Sequence, residues 1–307
     1  MSIDYNEDMK AVEVVKTLSE YVKKDQSKSN AAMLMSLSKK AMELKEKYPN
    51  NEKVTSGCDM FTIFVSRRLS KVDTREDYSK TKELLLKNIE QFVQRIDHSV
   101  DQIIKHSIPF IADGSTILVH GHSTVVLAIL KRASELGTSL RVIVTESQPD
   151  SAGLIMAREL DKANIPTTVI ADSAVAAVMD TVDVVFCGSE SIAENGGIIN
   201  KIGTYQISIV AKAYSKPFYV AAESIKFVRI FPLRQNEIPR KECPYEICEH
   251  CKSVSAKTFD EEGQGFVNFL NPLRDYTPPE YISLLFTDIG VITPSAVGEE
   301  ILKLYQN

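Results

Sequence analysis

Short apolar runs alternate with helical segments from Asp113-Gly114 onward, and this alternation restricts the fold more than any other feature of the chain. The runs are Thr116–His120, Leu140–Thr145, Thr167–Ala171, Val182–Cys187 and Pro217–Ala221. Between the first three lie Val125–Leu136 and Leu154–Lys162, which have helical period and length. Strands that alternate with helices imply βαβ units and a parallel sheet covered on both faces. A later run, Ile282–Phe286, and a helix ending near Tyr305 complete a Rossmann-like, doubly wound, mainly parallel sheet domain over residues 111–307.

Residues 1–110 follow another period. Val12, Val15, Leu18 and Val22 recur at helical spacing, as do Leu34, Leu37, Ala41 and Leu44 before Tyr48-Pro49-Asn50. Met60, Phe61, Phe64 and Val65 predict a third helix, and Leu85, Ile89, Phe92, Ile96, Val100 and Ile103 a long fourth on one stripe. Together they read as an N-terminal helical bundle domain ahead of the α/β domain. Its Lys- and Glu-rich faces are either solvated or a docking surface. Arg234–Gly265 breaks the rhythm of the second domain and reads as a polar surface excursion, partly disordered.

Composition excludes several classes. A net charge of −5 has the wrong sign for sequence-independent capture of nucleic acid. The apolar stretches fall short of the roughly 18–20 residues that span a membrane, and Met1–Lys10 is polar and acidic, unlike a signal peptide. Five scattered cysteines argue against a disulfide framework and fit a reducing cytosol.

In an open parallel sheet, ligands bind beyond the carboxyl ends of the strands where strand order switches. The first strand is followed by His120-Gly121-His122-Ser123-Thr124, the second by Thr145-Glu146-Ser147-Gln148-Pro149-Asp150, the third by Asp172-Ser173. The fourth leads into Gly188-Ser189-Glu190, then Asn195-Gly196-Gly197 and Asn200-Lys201-Ile202-Gly203-Thr204; the late run leads into Thr287-Asp288. Such residues offer backbone N–H groups to an anion, or they only cap helices and build turns. Lys201 could supply charge to a phosphate or polarise a carbonyl, and Glu190 and Asp288 could accept from sugar hydroxyls. His120 and His122 suit a structural or ligand-orienting role better than general-base work.

No G-x-G-x-x-G follows a strand and no G-x-x-x-x-G-K-[ST] occurs, so no dinucleotide or P-loop cofactor is expected. Cys187 reads as a buried small hydrophobe. Cys243, Cys248, His250 and Cys251 are soft ligands of the kind zinc prefers, but C-x4-C-x-H-C lacks the usual paired spacing, and adjacent His250 and Cys251 strain a tetrahedral chelate. No metal is expected there.

Thr145–Pro149, the run Glu194-Asn195-Gly196-Gly197-Ile198-Ile199-Asn200-Lys201-Ile202-Gly203-Thr204, the run Glu223–Leu233 and the run Phe286–Val297 resemble the initiation factor 2B alpha/beta/delta and sugar-phosphate isomerase family, its alpha (regulatory) type above all. The resemblance is dense across the α/β domain and looser in the helices; Arg234–Gly265 departs from it. It implies a non-catalytic subunit of the complex that exchanges GDP for GTP on initiation factor 2, with the exchange chemistry in another subunit. It further implies a homodimer that bridges the other subunits, with the helical domain sensing phosphorylated initiation factor 2. The isomerases of the family act on ribose 1,5-bisphosphate or methylthioribose 1-phosphate. They carry a catalytic Cys at the position of Gly121 and a catalytic Asp at that of Glu190. With no side chain at Gly121, the resemblance implies a surviving pocket for a sugar phosphate or nucleoside monophosphate without turnover, lined by His120, Gly121, His122, Ser123, Glu190, Asn195, Gly196, Gly197, Asn200, Lys201 and Asp288.

The apolar content of Phe227–Leu233 and Phe286–Val297 predicts self-association through the C-terminal domain. The charged faces around Asp25–Lys40 and Glu43–Lys47, with Lys39, Lys40 and Glu43, predict a reversible, electrostatically steered contact. A phosphoserine on the partner adds about −1.5 to −2 charge, which a basic spot such as Lys39-Lys40 could help to read.

Overall fold

The computed structural model describes residues 11–48, 52–70, 78–238 and 272–306. Four helices open the chain: α1 (Ala11–Lys24), α2 (Asn30–Lys47), α3 (Glu52–Ser70) and α4 (Tyr78–Asp97). Each turns an apolar stripe inward, so Val14, Leu18, Met33, Leu37, Phe61, Leu85 and Ile89 form one dry core. Ser29 starts α2 by accepting the Ala32 N–H at 3.2 Å, which satisfies one of the donors a helix start leaves open. On α2 the innermost stripe begins at Met33, while Leu34 is only half-buried.

The stripe from Leu85 to Ile103 is not one helix. The chain breaks at His98 (φ −95, ψ 4) and restarts as α5 (Ser99–Ser107). Leu85, Ile89, Phe92 and Ile96 face the bundle core, whereas Ile103 is buried in the core of the sheet with Val100 packed beside it. A single straight helix cannot present one stripe to two cores, and periodicity alone does not reveal the switch. His106 on α5 bonds through Nδ1 to the Thr287 carbonyl at 2.9 Å, which ties this helix to the sheet.

The α/β domain runs β1 (Ser115–Val119), α6 (Thr124–Glu135), β2 (Leu140–Thr145), α7 (Ala152–Asp161), β3 (Thr167–Ile170), α8 (Val175–Val178) and β4 (Val184–Cys187). It continues with β5 (Ser191–Ala193), β6 (Ile198–Lys201), α9 (Thr204–Ala213), β7 (Phe218–Ala221) and β8 (Phe227–Val228). The last described elements are β9 (Arg274–Thr277), β10 (Leu284–Thr287), β11 (Gly290–Ile292) and α10 (Val297–Gln306). Seven strands form the main sheet in the order β11-β10-β7-β4-β1-β2-β3. All neighbours are parallel except the β10–β11 hairpin. Central strands such as β1 and β4 are buried along their whole length, as a sheet covered on both faces requires.

A second sheet, in the order β8-β5-β6-β9, was not legible as strands. The β5–β6 hairpin holds Glu190–Lys201, which the sequence reading treats as loops after the fourth strand. β5 and β6 are three and four residues long and almost wholly buried, so no alternation of polar and apolar residues marks them.

The helical bundle and the α/β part meet at the turn after β7. Ile225 is buried among the bundle residues. Its carbonyl accepts the Ser56 hydroxyl from α3. The preceding Ser224 is held by Asp288, which accepts its N–H at 2.5 Å and its hydroxyl at 2.8 Å.

Candidate functional site

β2 and β3 lie to one side of β1, and β4, β7 and β10 to the other, so strand order switches between β1 and β4. The carboxyl ends of those two strands flank the crevice that such a switch opens. Gly121 follows β1 with φ +68, a left-handed conformation that glycine adopts freely. Ser123 caps α6, accepting the Val126 N–H at 3.3 Å. Gly188, just after β4, approaches so closely that a Cβ there would lie 2.6 Å from Ser123 Oγ. The loops after β1 and β4 are thus locked side by side.

His120 fastens these loops to the Lys201–Thr204 segment. It is 4% exposed, with Nδ1 2.6 Å from Thr145 Oγ1 and Nε2 2.8 Å from the Ile202 carbonyl. A carbonyl only accepts, so Nε2 carries the proton, and the neutral ring takes the Thr145 hydroxyl at Nδ1. Burial pushes the imidazole pKa down, against the Ile202 carbonyl and the charges of Asp172 and Asp150. With both nitrogens engaged, His120 is a brace. His122 is exposed at the crevice mouth.

Lys201, at the end of β6, places its ammonium on Asp150 Oδ2. Asp150 also accepts the Ala152 N–H through Oδ1 at 3.1 Å. Asp172 fixes the same turn by accepting the backbone N–H of Ser147 (2.9 Å) and Gln148 (2.7 Å). Ser147 is buried with φ 58, and its Oγ has no hydrogen-bond partner. A Cβ on Gly121 would stand 3.5 Å from Lys201 Cγ and 3.7 Å from Ser147 Oγ. The structure therefore gathers His120, Gly121, Ser147, Asp150, Asp172 and Lys201 around one point.

Beside them, Glu190 pairs with Arg274 of β9 at 2.6 Å, and the two side chains are 14% and 6% exposed. Asn200 is buried and donates through Nδ2 to Cys187 Sγ and to Thr204 Oγ1, both at 3.1 Å. Asp275, opposite Asn200 in the ladder, accepts the N–H groups of Gly203 (2.8 Å) and Tyr205 (3.0 Å) at the start of α9. Burial raises its carboxyl pKa to about 7, against the pull of those two N–H groups.

Four expected lining residues stand elsewhere. Asn195, Gly196 and Gly197 form the turn of the β5–β6 hairpin, roughly 13 Å along β6 from Lys201 at the rise of a strand. Asn195 donates to the Pro232 carbonyl and the Tyr276 hydroxyl, Gly196 lies under Pro294, and Gly197 lies against the Tyr276 ring. Asp288 is at the same sheet edge but is committed to Ser224. The segment read as a loop after β4 is a hairpin that carries its tip, Asn195–Gly197, away from the crevice. Ser147 and Asp150 lie in the loop after β2, Asp172 in the loop after β3, and Arg274 and Asp275 on β9, beyond the excursion in sequence.

On α2, Lys40 and Glu43 form a 3.0 Å ion pair with Lys39 exposed beside them. Glu43 is held below the usual carboxylate range by the Lys40 hydrogen bond and charge. Of the apolar residues expected to drive self-association, Phe227, Phe286 and Val297 are buried in the core. Phe231, Leu233 and Val291 remain exposed, at 63%, 71% and 36%. Cys243, Cys248, His250 and Cys251, with most of the Arg234–Gly265 excursion, lie outside the described residues. Its first part packs, because Gln235 bonds both the N–H (2.8 Å) and the carbonyl (2.6 Å) of Tyr276. Among the described residues no group of three or more His, Cys, Asp or Glu could hold a metal, and no helix is long and apolar enough to cross a membrane.

Gly121 offers no nucleophile, and Glu190 is held in an ion pair. Burial pushes the thiol of Cys187 up to about 12 and that of Cys58 to about 11, far from the thiolate a nucleophile requires.

Comparison with known proteins matches this architecture. Residues 6–294 fit the family model described as the initiation factor 2 subunit family. The chain is 42% identical over 301 residues to translation initiation factor eIF2B subunit alpha of Dictyostelium discoideum, covering 96% of this chain and 91% of that protein. It is 32% identical over 220 residues to ribose 1,5-bisphosphate isomerase of Thermococcus kodakarensis, covering 72% and 66%. Among solved structures, the tetrameric eIF2B-beta2-delta2 complex of C. thermophilum superposes with a TM-score of 0.71 at 19% identity, over 96% of this chain and 88% of that one.

Proposed function

The chain belongs to the initiation factor 2 subunit family, and on that premise we propose that it is an alpha-type, non-catalytic regulatory subunit of the guanine-nucleotide exchange complex for initiation factor 2. In this reading it works in the cytosol as a homodimer that bridges the other subunits and mediates inhibition by phosphorylated initiation factor 2. Similarity to an alpha subunit over nearly the whole chain supports the role. The observation that carries the absence of chemistry is the pair of changes in the crevice: no side chain at Gly121, and Glu190 bound to Arg274. Acid–base groups contribute roughly 10²–10⁴-fold each, so losing one and constraining the other removes most of a rate.

We assign regulation to the helical domain, residues 1–110, and assembly to residues 111–307. The exposed Phe231, Leu233 and Val291 support a self-association surface. Ser147 Oγ, buried without a partner beside Gly121 and Lys201, supports a second role for the crevice as a site for a sugar phosphate or nucleoside monophosphate. Affinity purification tests the main reading: the other subunits of the exchange complex should co-purify in stoichiometric amounts. Ribose 1,5-bisphosphate and methylthioribose 1-phosphate should be recovered unchanged after incubation with the chain. Purification without those subunits, or turnover abolished by Glu190→Ala, would overturn it.

A further inference from the structure

We propose that Asp150 is a built-in competitor for the anion position of the crevice, so that its carboxylate occupies Lys201 and sets how tightly a phosphorylated ligand can bind. The inference rests on reading the crevice as a ligand site. Lys201 packs beside Gly121, its Cγ 3.5 Å from where a Cβ would stand, and its ammonium touches Asp150 Oδ2.

The carboxylate does not reach Lys201 as a loose surface partner. Its turn is fixed from three sides: Asp172 holds the N–H groups of Ser147 and Gln148, the Ala152 N–H holds Asp150 Oδ1, and the Gly153 N–H donates to the Glu146 carbonyl at 3.2 Å. Gly153 presses so closely on the end of β2 that a Cβ there would collide with the Thr145 carbonyl oxygen, so the turn has no room to retreat. The side chains of Asp150 and Lys201 are 11% and 30% exposed. The pair is shielded enough to matter and open enough for a solute to contest.

The surrounding charge points the same way. Arg274 is engaged by Glu190, and Asp172 stands 4.0 Å from His120 on the same side as Asp150. Among the described residues, Lys201 and Arg274 are both ion-paired, so an arriving phosphate must displace Asp150 from Lys201. A neutral polyol carries no such penalty.

The test is calorimetric titration of the purified full chain with ribose 5-phosphate, inorganic phosphate and unphosphorylated ribose. Asp150→Asn keeps an acceptor oxygen for Ala152 and removes the charge. It should bind ribose 5-phosphate at least about tenfold more tightly than the parent, with ribose affinity unchanged. The double variant Asp150→Asn/Lys201→Ala should lose the gain. If Asp150→Asn does not fold, Asp150→Ser serves in its place. Equal or weaker phosphate binding by the variant than by a parent that binds would overturn the competitor role while leaving the ligand site standing, as would a gain that survives loss of Lys201. Absence of ribose 5-phosphate binding in parent and variants alike at millimolar concentration would overturn both.

Discussion

Replacing Asp275 with Asn should change how stability depends on pH, and the sign follows from its setting. The carboxyl is nearly buried at the start of α9; Oδ2 accepts two backbone N–H groups, while Oδ1 has no partner. Burial raises its pKa from 3.8 to about 7. A folded-state pKa above the unfolded one means that the folded chain binds the extra proton, so the stabilisation is complete below about pH 4 and is lost as pH rises through about 7. Each pH unit between the two values is worth about 1.4 kcal/mol, so the span amounts to about 4 kcal/mol. Asn keeps an acceptor for the α9 N–H groups and does not titrate. Urea unfolding of both proteins, at one protein concentration between pH 5 and 8, isolates the effect from other titrating groups. The stability of Asp275→Asn relative to the parent should rise by about 2–3 kcal/mol from pH 5 to pH 7 and level off above. A difference that is flat across this range, or that falls with pH, would refute the assignment of burial as the dominant influence on Asp275.

The other expectations concern the domain junction and the two surfaces. Ile225→Ala removes an apolar side chain buried in the helical bundle and should cost about 2–4 kcal/mol in denaturant unfolding; a cost below about 1 kcal/mol would mean the junction does not depend on it. Phe231→Asp with Leu233→Asp places charge on side chains that are 63% and 71% exposed, so the fold should persist while sedimentation shifts from dimer to monomer. An unchanged dimer would locate self-association elsewhere. Lys39→Glu with Lys40→Glu reverses charge on the outer face of α2, where Lys40 pairs with Glu43. Assembly and basal exchange should hold while inhibition by phosphorylated initiation factor 2 weakens. Loss of the variant from the complex would argue that this face serves assembly.

The elements that carry a long or regular pattern were legible in the sequence. The β1, β2, β3, β4, β7 and β10 segments are each a compact apolar run bounded by turn residues, which fixes them to within a few residues. The second sheet escaped because Ser191–Ala193, Ile198–Lys201 and Phe227–Val228 are too short and too uniformly buried to show a period. That omission misplaced the tip Asn195–Gly197, since a hairpin read as a loop appears free to fold back over the sheet. His120, Gly121 and Ser123 follow β1 at the switch in strand order, whereas Lys201 ends β6 of the second sheet. Arg274 was not legible, since its partner Glu190 lies on the far side of the excursion in sequence and only the β6–β9 pairing brings the two together. The Lys201–Asp150 contact likewise joins two loops whose separate roles gave no sign of mutual neutralisation.

The central claim is that this chain regulates exchange without performing it. The direct measurement is the rate of GDP release from initiation factor 2, catalysed by the exchange complex reconstituted with and without this chain, each with and without phosphorylated initiation factor 2. The account requires no exchange by the chain alone, persistent exchange by the complex lacking it, and inhibition by the phosphorylated factor only when the chain is present. Exchange by the isolated chain, or equal inhibition whether or not it is present, would contradict the account.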